Sequence, residues 1–205
     1  MHDVSLFTAT EAAVLTRLSL KAVNNAIDKK TVPTVSGQRA GQGARLLDLR
    51  GLMSLTLERR LADRFAPDLR RAVFDALASG PRSRVSLEGG LLTVDLREPR
   101  RELANSLRRL RRARAAVISD PEILGGEPVF RGTRIPVHLI AMLFEQGSGE
   151  KELLEAYPRL TAELVQLAPI YAAAYPLRGR PRSQPWHDRP PVHSTRRKLE
   201  TIAEG

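Results

Sequence analysis

The string Gly125–Ile140, GGEPVFRGTRIPVHLI, constrains the fold more than any other part of this chain. It packs three glycines, two prolines and two arginines into sixteen residues and runs straight into an apolar helical pattern. Glycine supplies backbone angles closed to other residues and proline fixes φ, so the string has to be a series of turns that launches a helix. Pro136 suits the first turn of that helix, because its missing N–H has no partner there. Val137, Ile140, Ala141 and Phe144 should then point inward, with a stop at Gly147. Downstream, Ser148 is placed to cap a short helix carrying Leu153 and Leu154. Thr161 is placed to cap a third carrying Leu164, Ala168 and Tyr171, with Pro169 expected to kink or divide it. Three short helices make a trihelical unit, whose thin core would gain from dimerisation or a partner.

The opposite end of the chain reads as another helical module. TATEAAVLTRLSLKAVNNAIDKK, residues 8–30, holds two amphipathic helices, the first capped by Thr10 and carrying Ala12, Ala13 and Leu15. Ser19 caps the second, which carries Leu20, Val23 and Ile27, giving a helix-turn-helix pattern. VPTVSGQRAGQGARLLDLRGL then has two β-like ends around the basic, glycine-rich SGQRAGQGAR, in the manner of a wing. Ser19, Lys21, Asn24, Asn25 and Lys29 fall on or near the open face of the second helix, where asparagine can read adenine edges. Arg39 and Arg45 in the wing would reach phosphates or a minor groove. The alternative is an ordinary solvated face on a packing unit.

Between these ends, apolar spacing from Leu52 to Leu77 predicts helix broken at Pro67, and RVSLEGGLLTVDLR predicts a hairpin at Gly89-Gly90. REPRRELANSLRRLRRARAAV follows as an arginine-dense helix with Leu103, Leu107 and Leu110 on one stripe. Its position suggests a linker helix, and its Arg108–Arg114 run is either a solvated face or a phosphate contact. Aromatic residues are only 4% of the chain, so the cores must rest on Leu, Val, Ala and Ile. The resulting expectation is a mainly α protein with small β-hairpins. It divides into a winged helix-turn-helix head with its following helix (1–78), a hairpin and arginine-rich linker helix (79–116), a C-terminal trihelical helix-turn-helix-like domain (117–175) and a basic tail (176–205).

Charge and missing chemistry narrow the function. A formal charge of +10 favours a polyanionic partner such as nucleic acid, or an acidic protein surface. With no cysteine there is no thiolate metal site or thiol nucleophile. His2, His138, His187 and His193 lack metal-ligand spacing, and His138 is expected at a helix surface or interface. Around the GTRIP string, Arg131, Thr133, Arg134 and His138 have no carboxylate pair, nucleophile–base pair or phosphate-cradling loop beside them. No catalytic residue, metal or cofactor is therefore expected. The arginines should instead bond open turn carbonyls or pair with Asp120, Glu122 or Glu127. Neither a signal peptide nor a bilayer-spanning run is visible, which points to a cytoplasmic protein, and the richness in Arg, Ala and Leu points to a bacterial one.

Two resemblances sharpen this picture. Glu11-Ala12-Ala13, Leu18-Ser19, Val23 and Val32-Pro33 resemble the winged heads of MerR and excisionase proteins, with a departure at Thr16-Arg17, where a glycine often opens the turn. DPEILGGEPVFRGTRIPV followed by LLEAYPRLT resembles the domain of unknown function 433, found in VapB-type antitoxins whose partners are PIN-like ribonuclease toxins. The resemblance implies a small, dimeric helix-turn-helix-like fold, as a homodimer or toxin–antitoxin hetero-oligomer, binding operator DNA and toxin. In such systems the C-terminal part wraps the toxin and a basic side chain enters its acidic pocket. By that resemblance Arg178, Arg180, Arg182, Arg189, Arg196 or Arg197 would neutralise the toxin carboxylates, with Trp186 filling a groove.

Overall fold

The computed structural model describes residues 5–39, 42–78 and 83–177, with side chains left out at 37–39, 42–44 and 78. The protein is mainly α, with three small antiparallel strand pairs among the described residues. Helix α1 (Ala9–Thr16) starts at Thr8, whose hydroxyl accepts the Glu11 N–H while the Glu11 carboxylate accepts the Thr8 N–H at 2.8 Å. This capping box displaces Thr10 from the capping role expected of it. Arg17 ends α1 with φ 57°, and Ser19 caps α2 (Leu20–Asp28) by accepting the Ala22 N–H at 3.1 Å. Val23 and Ile27 are buried, but Leu20 is 42% exposed, so the apolar stripe of α2 is covered only from its second turn onward.

Strands β1 (Val35–Arg39) and β2 (Gln42–Leu46) pair from Val35–Leu46 to Arg39–Gln42. The strands therefore run through most of the stretch expected as loop. Phe7 and Leu47 exchange backbone hydrogen bonds of 2.8 and 2.9 Å, tying the hairpin exit to the chain ahead of α1. Helix α3 (Leu49–Leu61), capped by Asp48, follows at once. Its Gly51 is required by packing, since a Cβ there would lie 2.8 Å from the Pro33 carbonyl oxygen. The helical run breaks ahead of Pro67 as expected, and α4 (Pro67–Ala78) leads to β3 (Arg84–Leu87) and β4 (Leu92–Asp95), paired across the Gly89-Gly90 turn.

Helix α5 (Arg97–Ala115) is more than a linker. Leu103 and Leu110 lie in one continuous core with Leu15, Val23, Leu52, Val73, Val85 and Leu96, so the middle of the chain completes the hydrophobic core of the N-terminal helices. An apolar stripe opposite a charged face suits such a half-buried helix.

A second core surrounds Phe130. Strands β5 (Val117–Ile118) and β6 (Val129–Phe130) pair, then come α6 (Val137–Glu145), α7 (Glu150–Ala156) and α8 (Ala162–Ala174). At the end of α6 the Gly147 N–H bonds the Phe144 carbonyl and the Ser148 N–H bonds the Leu143 carbonyl, with Gly147 at φ 98°. That paired closure uses Ser148 to finish α6, so Gly149 starts α7 in its place. Phe144 is 38% exposed rather than inward. Thr161 caps α8 as expected, and α8 runs through Pro169 as one helix. Proline removes one helical hydrogen bond, but buried Val165, Leu167 and Ala168 before it and Ala174 after it hold the helix on both sides. Helix α8 is a shared wall: Val165 and Ala168 enter the second core, whereas Ala174 enters the first.

Candidate nucleic-acid interface

The buried pair Val23 and Ile27 fixes the rotation of α2, and everything opposite is open. Ser19, Lys21, Asn24, Asn25 and Lys29 are all exposed, and Lys21, Asn24, Asn25 and Asp28 follow helical spacing on one face. The structure thus brings together the five α2-associated residues that the sequence singles out. Ser19 does double duty, because its oxygen is occupied by the cap. Arg45 of the wing differs from expectation: its guanidinium donates to Asp28 at 2.6 Å, so it braces the hairpin against α2. Both groups are more than half exposed, which makes this a weak, salt-screened pair that an incoming phosphate can compete for. The Arg39 backbone lies in β1, while its side chain falls outside the described set. Arg178, Arg180, Arg182, Trp186, Arg189, Arg196 and Arg197 also lie outside the described residues.

Where α3, α5 and the α1–α2 turn meet lies an ion cluster that sequence spacing did not reveal. Glu102 of α5 accepts from Arg59 at 2.6 Å and Arg60 at 2.8 Å, both on α3, and Arg17 in the helix-turn-helix turn lies 3.9 Å away. The partners are 42 or more residues distant in sequence, and periodicity carries no signal for such a pairing. Burial pushes the Glu102 carboxyl up, but the Arg60 hydrogen bond and the charges of Arg59, Arg60 and Arg17 outweigh it and hold the group below its ordinary value of 4.5. A depressed folded-state value stabilises the fold above the unfolded value, and that contribution is lost as pH falls through the folded one. Glu102→Gln should therefore cost about 1–2 kcal/mol at pH 7, with the gap from wild type closing below pH 4.5. Urea midpoints measured against pH check this, and a gap independent of pH would exclude the ionic role.

The GTRIP string is positioned as a clamp. Arg131 donates through Nε to the Ala115 carbonyl at 3.2 Å and through Nη2 to the Val117 carbonyl at 3.5 Å, at the C-terminal end of α5. A cation there satisfies open carbonyls and complements the helix dipole. Thr133 donates to the Phe130 carbonyl at 2.8 Å and accepts the Ile135 N–H at 3.1 Å, closing the turn around Gly132 at φ 76°. The expectation that the arginines bond turn carbonyls holds for Arg131. His138 lies inside the α6–α8 joint, with Nε2 2.9 Å from the Tyr175 carbonyl oxygen and its ring edge-on to Tyr171. A carbonyl can only accept, so Nε2 carries the proton. Among the described residues no group of three His, Asp or Glu side chains is arranged to hold a metal ion. None of the described helices is long and apolar enough to cross a membrane.

A helix-turn-helix arrangement with a hairpin beside it, packed on a second small helical domain, defines a modular, basic α protein. Residues 117–172 match the family described as "Protein of unknown function (DUF433)". Over the longer span the chain is 40% identical, across 187 residues, to the uncharacterized protein y4eO of Sinorhizobium fredii (strain NBRC 101917 / NGR234), covering 86% of this chain and 85% of that one. The chain belongs to the family of that protein, and its C-terminal domain is a DUF433 domain. Among solved structures, a DUF433 member from Anabaena variabilis ATCC 29413 is 34% identical, over 34% of this chain and 69% of that one, with a TM-score of 0.27. Rv2018 from Mycobacterium tuberculosis is 19% identical, over 81% of this chain and 98% of that one, with a TM-score of 0.30.

Proposed function

We propose that this protein is the cytoplasmic antitoxin of a type II toxin–antitoxin pair, which binds its own operator DNA through the N-terminal head and neutralises a PIN-like ribonuclease through its C-terminal region. The observation that carries the DNA half is the open face of α2, where Lys21, Asn24, Asn25 and Lys29 stand together beside a hairpin. Two asparagines amid lysines provide base-edge and phosphate chemistry side by side. The toxin half rests on the DUF433 domain, the resemblance of its motif to VapB-type antitoxins, and the arginine-rich segment after residue 177. A two-fold operator would match a homodimer.

Two experiments separate the halves. With the DNA upstream of its own coding sequence, Asn24→Ala is expected to weaken binding by about tenfold to a hundredfold while leaving affinity for random duplex unchanged. Lys21→Ala should weaken both alike and lower the salt slope by about one. Equal effects of Asn24→Ala on both duplexes would remove the base-reading role. Removing residues 176–205 should weaken rescue of cells from a co-expressed PIN-like ribonuclease partner while DNA binding survives. Full rescue by the truncated chain would refute the tail's role, and reduced salt dependence of DNA binding would instead make the tail a DNA-contacting arm of a free-standing regulator.

A further inference from the structure

Where α1, α5 and α8 meet, the surface folds inward into a cleft of about 470 Å³. Four guanidinium groups line it: Arg17 from the helix-turn-helix turn and Arg108, Arg109 and Arg112 from α5. Val14 and Ile170 form its apolar part, and Asn105 and Ser106 complete the polar wall. Among the described residues no carboxylate lines this cleft. Two of its arginines face carboxylates outside the lining: Glu102 lies 3.9 Å from Arg17, and Glu163 pairs with Arg112. Each pairing leaves further N–H donors on a guanidinium that has five. Arg108 donates to the Asn105 carbonyl oxygen, which leaves both Asn105 amide N–H groups to donate. Arg109 has no ion-pair or hydrogen-bond partner among the described residues.

The cleft is therefore rich in N–H donors, with the Ser106 hydroxyl and the Asn105 oxygen as its acceptors, and the matching ligand is one rich in acceptors. Phosphate is that ligand, because guanidinium binds it bidentately and holds its charge at any physiological pH. Concavity and an apolar floor separate this site from a surface for duplex backbone, which is met by convex or flat basic faces. The volume falls within the range that encloses a small molecule, about 300–1,000 Å³.

We propose that the cleft binds a nucleoside phosphate, with the phosphates on Arg108, Arg109 and Arg17 and the nucleoside against Val14 and Ile170. The site is separate from the α2 face and does not depend on the antitoxin reading. Because α1 belongs to the DNA-facing head and α8 to both cores, an occupant would bridge the two domains.

Calorimetric titration of the full-length protein with the adenine, guanine, cytosine and uracil diphosphates tests this, with adenosine and inorganic pyrophosphate as controls. At least one diphosphate should bind saturably, at least about tenfold more tightly than pyrophosphate, and free adenosine should not bind. Arg109→Ser, whose side chain holds nothing in the fold, should weaken that diphosphate by about tenfold or more, as expected for loss of a charge-assisted hydrogen bond. Arg108→Ser/Arg109→Ser should abolish it while the thermal midpoint stays within about 2 °C, so misfolding is not the cause. Absence of saturation with all four diphosphates overturns the proposal, as does equal affinity for pyrophosphate or unchanged binding by Arg109→Ser. If the wild-type protein binds no diphosphate while the variants weaken a random DNA duplex, the cleft is a backbone-contact surface and the proposal fails.

Discussion

Phe130→Ala should destabilise the protein by about 3–5 kcal/mol, the cost of emptying a large aromatic site in a packed core. Phe130 is 1% exposed and is the one aromatic side chain among the fully buried residues of the second core. Around it stand Val137, Ile140, Leu153, Leu160 and Val165, drawn from every helix of the DUF433 domain and the loop before α8. Its neighbours in sequence, Arg131, Gly132 and Thr133, hold it there by closing the turn and clamping the end of α5. A core this small has little to refill the cavity. The thermal midpoint should fall by on the order of 10 °C, given about 2–4 °C per kcal/mol for a chain of this size. Phe144→Ala supplies the comparison, because Phe144 is 38% exposed and its loss should cost under about 1 kcal/mol. Equal effects of the two substitutions, read from urea denaturation, would show that the motif does not serve to seat Phe130.

That contrast also marks what the sequence carries and what it does not. Gly125, Gly126, Gly132 and Gly147 all adopt positive φ, so the turn chemistry of the motif was readable residue by residue. The open face of α2 was equally readable, because Val23 and Ile27 define its inward side and local periodicity then places Lys21, Asn24 and Asn25. Phe144 failed the same test: it shares the stripe of Ile140 and Ala141, which are buried, yet in the last turn of α6 it is 38% exposed. Ser148 failed for another reason, since the same backbone can close one helix or open the next, and the Leu143 bond decides for closing. The reading of α5 as a linker failed because its charge run hides how much of Leu103 and Leu110 is needed elsewhere. The Glu102 cluster and the four-arginine cleft join segments far apart in the chain, and only folding brings them together.

The second large effect is expected at the joint between the two cores. Glu11 is a carboxylate 1% exposed within the first helix of the head. One oxygen accepts the Thr8 N–H at 2.8 Å and the other accepts the Tyr175 hydroxyl at 2.7 Å, across 164 residues of chain. Tyr175 in turn ends α8, stacks at 4.9 Å on Tyr171 and receives His138 at its carbonyl, so the contact joins the head to the DUF433 helices. Glu11→Ala removes the carboxylate half of the capping box and the interdomain acceptor together, while Thr8 still caps the helix, and should cost about 2–4 kcal/mol. Tyr175→Phe keeps the cap and the aromatic packing and loses only the hydroxyl, so it should cost about 1–2 kcal/mol. In a double-mutant cycle the two substitutions should show a coupling of on the order of 1.5 kcal/mol, because both break one charge-assisted hydrogen bond. Additivity within about 0.5 kcal/mol would show that Glu11 serves its own helix alone and that the domains are held by packing of Ala174 and Ile170.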